Sequence, residues 1–283
     1  MKGKYSISEL NAVHAAAGRF GCIRIFIRVF CGQRLPLAAL VFSLCGTVAQ
    51  CEEVRVAVAA NFLGTLRDLE PVFSELTGHR IATTAGSTGL LYAQIRNGAP
   101  FDVLLSADRE RPRLLVEDGF GEASETFTYA VGRLVLWSGE PGRVGESTLS
   151  ELADVRFRWI AIADPATAPY GAAARQVLQS LGFWDVLQAR LVRGQNVAQT
   201  FAMTETGNAE LGLVSLAQAL AYRGAASFAV VPHELHEPIR QDAVLLDRGI
   251  ENAAAQAFVE FLRSPAAAAI IERSGYAVFS ARM

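Results

Sequence analysis

The apolar positions between residues 54 and 105 alternate between short continuous runs and longer amphipathic stretches. A short apolar run predicts a strand, and apolar residues repeated every three or four positions predict a helix. The predicted strands cover 54–59, 80–84 and 101–105, and the predicted helices cover 63–76 and 89–97. Strands that alternate with helices of this length form βαβ units, so the pattern favours a parallel sheet covered by helices.

A second series of the same kind begins near Tyr129. The predicted strands cover 130–137, 159–163, 189–192, 211–214 and 242–246, and the predicted helices cover 171–181, 197–206 and 252–262. No stretch rich in glycine, serine or proline separates the two series as a linker would. The pattern therefore favours two α/β lobes that exchange strands over two independent domains.

Residues 1–50 have the layout of an export signal. A basic segment that ends at Arg34 precedes an apolar run over 35–49, which closes on small residues suited to a signal peptidase. A run of about 15 residues is short for a membrane-spanning helix, which needs about 20. We expect a signal peptide cleaved near Ala49 and a periplasmic protein. A lipoprotein anchored at Cys51 is the alternative, disfavoured because the preceding residue is not small.

Charge and cysteine content fit an exported, globular protein. The chain has 283 residues, 51% of them hydrophobic, and its four cysteines all stand at or before residue 51. The mature domain thus has no disulfide framework. The first 49 residues carry six basic side chains and one acidic one, and the remainder carries 20 basic and 27 acidic ones. An acidic body without clustered Lys and Arg argues against nucleic-acid binding.

Four predicted strand-to-helix turns combine small residues with amide and hydroxyl side chains. They cover 59–61, 86–89, 164–171 and 195–197, and none contains Lys or Arg. In open parallel sheets, ligands collect at the carboxyl ends of strands, where free N–H groups and helix dipoles favour anions. The set predicts a site for a small dianion held by neutral donors. Ordinary helix capping is the alternative for each turn alone.

Several segments in these regions resemble the periplasmic molybdate-binding proteins of molybdate ABC transporters, over residue 53 to the C-terminus. The matching segments are 58–62 (VAANF), 85–95 (AGSTGLLYAQI), 98–108 (GAPFDVLLSAD), 163–165 (ADP), 168–171 (APYG), 181–184 (LGFW) and 211–214 (LGLV). No single segment is specific, but their order and spacing together are.

The resemblance implies the two-lobed fold of type II periplasmic solute-binding proteins. Each lobe would be a mixed, mostly parallel sheet flanked by helices, with the ligand in the cleft. We expect one lobe over 51–130 and 239–283, and the other over 131–238. The implied function is to bind molybdate or tungstate and deliver it to a transmembrane ABC permease, as a monomer without enzymatic activity or cofactor. A binding protein for sulfate or phosphate on the same fold is the alternative.

The resemblance also implies which residues hold the oxyanion. They are Asn61 with the Ala60 backbone, Ser87 or Thr88, Tyr170, and Val197. Molybdenum would be held only as the oxyanion, through these same residues. Members of the enterobacterial type have a tyrosine after the strand equivalent to 211–214, where this chain has Ser215. Ser215 is too short to replace it, so we expect the Tyr170 hydroxyl to do so.

Other residues could indicate different functions, but the sequence supports each of these less well than a structural role. Ser87 lacks the Gly-x-Ser-x-Gly elbow and the nearby histidine that a serine hydrolase needs. A ferric-iron site would need a pair of tyrosines, and no two are adjacent in the sequence. His233 and His236 lie in a proline-flanked loop that we expect to be solvated.

The remaining polar and aromatic candidates are expected to be structural. We predict that Asp102 and Asp108 cap turns on either side of Ser106. The tryptophans are predicted to lie in the core, namely Trp137, Trp159 and Trp184.

Overall fold

The computed structural model describes residues 51–145, 149, 152–153 and 157–278. The predicted signal peptide over 1–50 lies outside the described residues. No helix in the described part of the chain is both long and apolar enough to cross a bilayer.

The described chain forms two five-stranded sheets. The first part of the chain contains β1 (Glu53–Ala59), α1 (Leu63–Thr77), β2 (Arg80–Gly86), α2 (Thr88–Arg96), β3 (Val103–Leu105), α3 (Glu110–Glu117) and β4 (Phe127–Gly132). The middle part contains β5 (Leu134–Ser138), β6 (Ile160–Ala163), α4 (Pro169–Ser180), β7 (Leu191–Gly194), α5 (Val197–Glu205), β8 (Leu211–Ser215), α6 (Leu216–Ala221) and β9 (Ser227–Val230). The last part contains β10 (Ile239–Leu245), α7 (Ala253–Leu262) and α8 (Pro265–Arg273).

The two sheets have the same arrangement. The first has the order β2-β1-β3-β10-β4, and the second has the order β7-β6-β8-β5-β9. In each, three neighbouring strands are parallel and the last two run antiparallel to their neighbours. The first sheet takes β10 from the end of the chain, after the whole second sheet. The expected two-lobed α/β architecture with exchanged strands is confirmed.

Helices bury both faces of the first sheet. Val56 and Val58 pack into one apolar cluster, which includes Phe258 of α7, and Ala57 between them packs into another, which includes Leu91 of α2. Successive side chains of a strand point to opposite faces. A strand covered on both faces is therefore apolar at almost every position, which is the pattern that the sequence shows here.

One predicted strand is wrong. The run 130–137 was expected to be continuous, but it divides into β4 of the first sheet and β5 of the second. Arg133 lies between them, and its carbonyl accepts the N–H of Leu216 at 2.9 Å. Both halves are apolar, so hydrophobicity alone does not mark where the chain changes lobe.

Four elements were not predicted, namely α3, α6, β9 and α8. α3 buries only Pro112 and Leu115, so its apolar face is too narrow to give a helical period. α8 did carry a start signal, because Ser264 accepts the N–H of Ala267 and Pro265 follows as the first helical residue.

Candidate functional site

The four predicted turns meet at one place, because each follows the carboxyl end of a parallel strand. Two of them follow β1 and β2 of the first lobe, and the other two follow β6 and β7 of the second. Together they line a small cavity of about 10 Å³. The lining residues are Ala59, Ala60, Asn61, Ser87, Thr88, Ala107, Ala168, Pro169, Tyr170, Asn196 and Val197. All six residues implied by the resemblance are among them, and no lining residue is charged.

The turn after β1 contributes a main-chain donor from Asn61. The Asn61 N–H has no hydrogen-bond acceptor among the described residues. The N–H of Ala60 donates to the Gly86 carbonyl at 2.9 Å. The expectation of a backbone donor at Ala60 is therefore corrected, since that group continues the pairing of β1 with β2.

The side chain of Asn61 is held inside the protein. Its Nδ2 donates to Gln241 Oε1 at 2.9 Å and to Tyr276 Oη at 3.1 Å. Tyr276 in turn donates to the Asn61 carbonyl at 2.8 Å. These contacts fix the turn from which the Asn61 N–H projects, so the residue offers the cavity its main chain rather than its amide.

Ser87 and Thr88 at the start of α2 differ in what they can donate. The hydroxyl and the N–H of Ser87 have no partner within the described part of the chain, although the residue is 5% exposed. Thr88 Oγ1 accepts the N–H of Ala107 at 3.0 Å and holds the loop after β3. Thr88 is also fully buried whereas Ser87 keeps some exposure, so Ser87 is the better-placed side-chain donor of the two.

The second lobe contributes the first turns of α4 and α5. The N–H groups of Tyr170 and Val197 have no acceptor within the described ranges, as expected near the start of a helix. Asn196 caps α5, because its Oδ1 accepts the N–H groups of Ala198 and Gln199 at 3.0 Å each. The cap leaves the Val197 N–H unused.

The hydroxyl of Tyr170 lies in a buried polar cluster behind the cavity. Gln241 Nε2 donates to it at 3.4 Å, and Gln241 Oε1 accepts from Tyr129 at 3.1 Å. The expectation that this hydroxyl replaces the tyrosine of the enterobacterial type is corrected, because it serves the cluster. Ser215 caps α6 and does not line the cavity.

Three tyrosines meet in this cluster although they are far apart in the sequence. Burial raises the pKa of Tyr129, Tyr170 and Tyr276 above the ordinary value near 10, with Tyr276 adding to the shift of the other two. The hydroxyls therefore stay protonated at neutral pH, unlike the phenolates that bind ferric iron. Sequence adjacency was a poor guide here, and no pattern around Gln241 pointed to the cluster.

Comparison with known proteins places the chain in a family. Residues 54–277 match the family model described as "bacterial extracellular solute-binding protein". The chain belongs to this family. A protein named molybdate-binding protein ModA from Rhodobacter capsulatus is 45% identical over 228 residues, covering 81% of this solute-binding protein and 89% of that one.

Two further comparisons concern Azotobacter vinelandii. Its molybdate-binding protein ModA is 46% identical over 243 residues, covering 85% of this chain and 96% of that one. A solved structure described as its periplasmic molybdate-binding protein has a TM-score of 0.76 at 43% identity, covering 80% of this chain and all of that one. The resemblance drawn from the sequence is confirmed, and so is the type II fold of this solute-binding protein.

Both aspartates that were predicted to cap turns have structural roles, but only Asp108 caps a turn. Asp102 accepts the N–H of Arg55 at 2.8 Å, Nδ2 of Asn252 at 3.1 Å and Nε of Arg248 at 3.2 Å. Asp108 accepts the N–H of Arg111 at 2.9 Å and so caps the first turn of α3. Burial raises the pKa of Asp108, partly offset by Arg111.

The remaining candidates lie away from the cavity. His233 is fully exposed in a short 3-10 turn and pairs with Glu234 at 3.2 Å, as a solvated loop would. Trp137 is wholly buried in the core of the second lobe, and the half-buried Trp184 packs against the same core. Trp159 is also half-buried, beside β6.

Proposed function

We propose that the protein binds molybdate, with tungstate as a second ligand, in the periplasm and delivers it to an ABC permease. The observation that carries the proposal is the cavity between the lobes, which has unused donors on both sides and no charged side chain. Several homologues that cover most of the chain are named as molybdate-binding proteins.

Neutral donors suit an anion that carries no proton at neutral pH. A protonated oxyanion would turn one hydrogen toward a donor, which would leave both groups unsatisfied. The N-terminal ends of α2, α4 and α5 supply positive potential without mobile cations. The site thus discriminates against anions that stay protonated near pH 7.

The energetics are adequate for tight binding. The donors are the N–H groups of Asn61, Ser87, Tyr170 and Val197 and the Ser87 hydroxyl. A hydrogen bond to a charged group contributes about 1.5–3 kcal/mol, so five give about 7.5–15 kcal/mol before desolvation and closure. Micromolar to nanomolar binding requires about 8–12 kcal/mol.

The same proposal extends to the oligomeric state, the partners and the processing of the protein. We infer a monomeric, non-enzymatic receptor without a cofactor, in which molybdenum is present only as the oxyanion and nucleic acid is not a partner. The signal peptide over 1–50 would be cleaved near Ala49. The lobes would comprise 51–132 with 239–283, and 134–238, because β4 extends the first lobe two residues past the expected boundary at 130.

Calorimetric titration of the purified protein with a panel of oxyanions tests the function. We expect molybdate and tungstate to bind with micromolar or tighter affinity, and equal sulfate or phosphate to bind far more weakly. A melting temperature that rises with molybdate but not with sulfate would support the same conclusion. Tighter binding of sulfate or phosphate would contradict the ligand while leaving the fold assignment intact.

A further inference from the structure

The two lobes touch beside the cavity through main-chain atoms. Gly89, the second residue of α2, donates its N–H to the Thr167 carbonyl of the second lobe at 2.9 Å. A Cβ at Gly89 would lie 3.0 Å from that oxygen and 3.1 Å from Thr167 Cα. Because backbone lies on both sides, this contact cannot be compressed by moving a side chain.

A second hydrogen bond joins the first lobe to the same turn of the second lobe. Arg111 Nη2 donates to the Ala166 carbonyl at 3.3 Å, and Nη1 of the same side chain pairs with Asp108 at 2.8 Å. The turn is rigid on its own side, because Asp164 Oδ1 accepts the N–H of Ala166 at 3.1 Å. Two successive carbonyls, at residues 166 and 167, are thus held by the first lobe.

The contact between Gly89 and Thr167 joins the elements that carry the anion donors, and Arg111 holds the same turn from α3. Gly89 stands two residues after Ser87 in the first turn of α2, and Thr167 stands three residues before Tyr170. The spacing between the donors of the two lobes is therefore fixed at the point where their main chains meet.

We propose that the contact between Gly89 and Thr167 is a closing stop that sets the size of oxyanion accepted by the closed cleft. The proposal rests on the function proposed above. The lobes close until these main chains touch and go no further. An oxyanion large enough to span the gap receives hydrogen bonds from both lobes, whereas a smaller one loses contact on one side, since hydrogen bonds weaken steeply with distance.

The stop also gives a new role to the second glycine of the segment 86–89. A glycine in such a turn suggests close approach of backbone to ligand. In this structure the close approach at Gly89 is that of the opposite lobe, and a Cβ at Gly86 would meet only Leu91 and Leu90 side chains. Gly89 is accordingly a specificity-determining position rather than a ligand contact.

The variant Gly89→Ala tests the stop, with Gly64→Ala as a matched control. Both glycines are the second residue of a helix in the first lobe, and a Cβ at Gly64 would meet nothing within 4 Å. We expect Gly89→Ala to weaken molybdate binding at least tenfold through faster dissociation, with the association rate within twofold. The melting temperature of the free protein should not fall, because alanine favours a helix more than glycine does. The control should bind as the unaltered protein does.

Ion size provides the second readout. Chromate is a smaller tetrahedral dianion than molybdate, and its affinity can be read directly or by competition against molybdate. We expect Gly89→Ala to raise the ratio of the chromate to the molybdate dissociation constant at least threefold. An unchanged ratio would overturn the size role, and unchanged molybdate affinity would overturn the stop itself.

A further variant separates backbone from side-chain contact. Adding Thr167→Ala to Gly89→Ala should not restore affinity, because the nearest atoms are the carbonyl oxygen and Cα of Thr167. Restored affinity would show that the side chain caused the clash, against the proposal. A failure of the proposed function gives a different result, because the unaltered protein itself would then prefer another oxyanion. The ratio of dissociation constants can then be measured with that oxyanion in place of molybdate.

Discussion

Ser87 is 5% exposed, and within the described residues its hydroxyl has no hydrogen-bond partner. Because Ser87 lines the cavity, a ligand oxygen can accept from this hydroxyl in a hydrogen bond to a charged group. Thr88, its neighbour, already accepts the N–H of Ala107. The two adjacent hydroxyls at the start of α2 thus differ in role. Ser87 is available to the ligand, and Thr88 holds the loop after β3.

Ser87→Ala is expected to weaken molybdate binding about 10- to 100-fold, the equivalent of one hydrogen bond to a charged group. The melting temperature of the free protein should stay within about 2 °C, because the Ser87 hydroxyl has no hydrogen-bond partner to lose. Thr88→Ala is the matched comparison, and it should instead cost about 1–3 kcal/mol of stability because the buried Ala107 N–H loses its acceptor. Calorimetric titration and thermal melting measure both. The reverse outcome would assign the ligand hydroxyl to Thr88.

At the scale of elements, the hydrophobic pattern predicted most strands and long helices. The turn composition marked four turns, and the family resemblance named six site residues within them. The hydrophobic pattern did not show that the chain changes lobe at Arg133, because the two apolar strands on either side form one continuous apolar run. It also did not distinguish the Asn61 amide from its N–H, or the Tyr170 hydroxyl from its N–H. Those assignments depend on Gln241 and on Tyr276, which stand 180 and 215 residues after Asn61.

The junction between β4 and β5 provides a test at this scale. A Cβ at Gly132 would collide with Tyr170 Oη and lie 2.7 Å from Gln241 Nε2. Gly132→Ala should therefore destabilise the protein by about 1–3 kcal/mol, as overpacking does. Urea unfolding measures the loss. Tyr170→Phe in the same chain removes the nearest atom and should recover part of the stability, and a double variant no better than Gly132→Ala would contradict this packing.

Across the whole molecule, the buried tyrosine cluster makes stability depend on alkaline pH. Each phenol has a folded pKa above its ordinary value near 10, chiefly through burial. Above pH 10 the unfolded chain releases these protons before the folded one does. The free energy of unfolding is therefore undiminished below pH 10 and falls as the pH rises further, by up to about 1.4 kcal/mol per group and pH unit.

Urea unfolding between pH 9 and pH 12 checks this dependence. Tyr276→Phe removes one of the three titrating groups, so stability should fall less steeply with pH than in the unaltered protein. Tyr92→Phe, at a partly exposed tyrosine on α2, is the control and should keep the original slope. Equal slopes for all three proteins would show that the cluster does not govern alkaline stability.

The order of strands in the first sheet has a consequence for how the chain assembles. β10 lies between β3 and β4, yet it follows the whole second lobe in the sequence. β5 and β9, which begin and end that lobe's contribution, are neighbours, and the Val231 N–H donates to the Leu134 carbonyl at 3.0 Å. The second lobe is thus an insertion that enters and leaves at one point and has all its strands before β10 emerges. During synthesis or export, the sheet of the first lobe therefore stays incomplete until the whole second lobe has been made or translocated and β10 follows it.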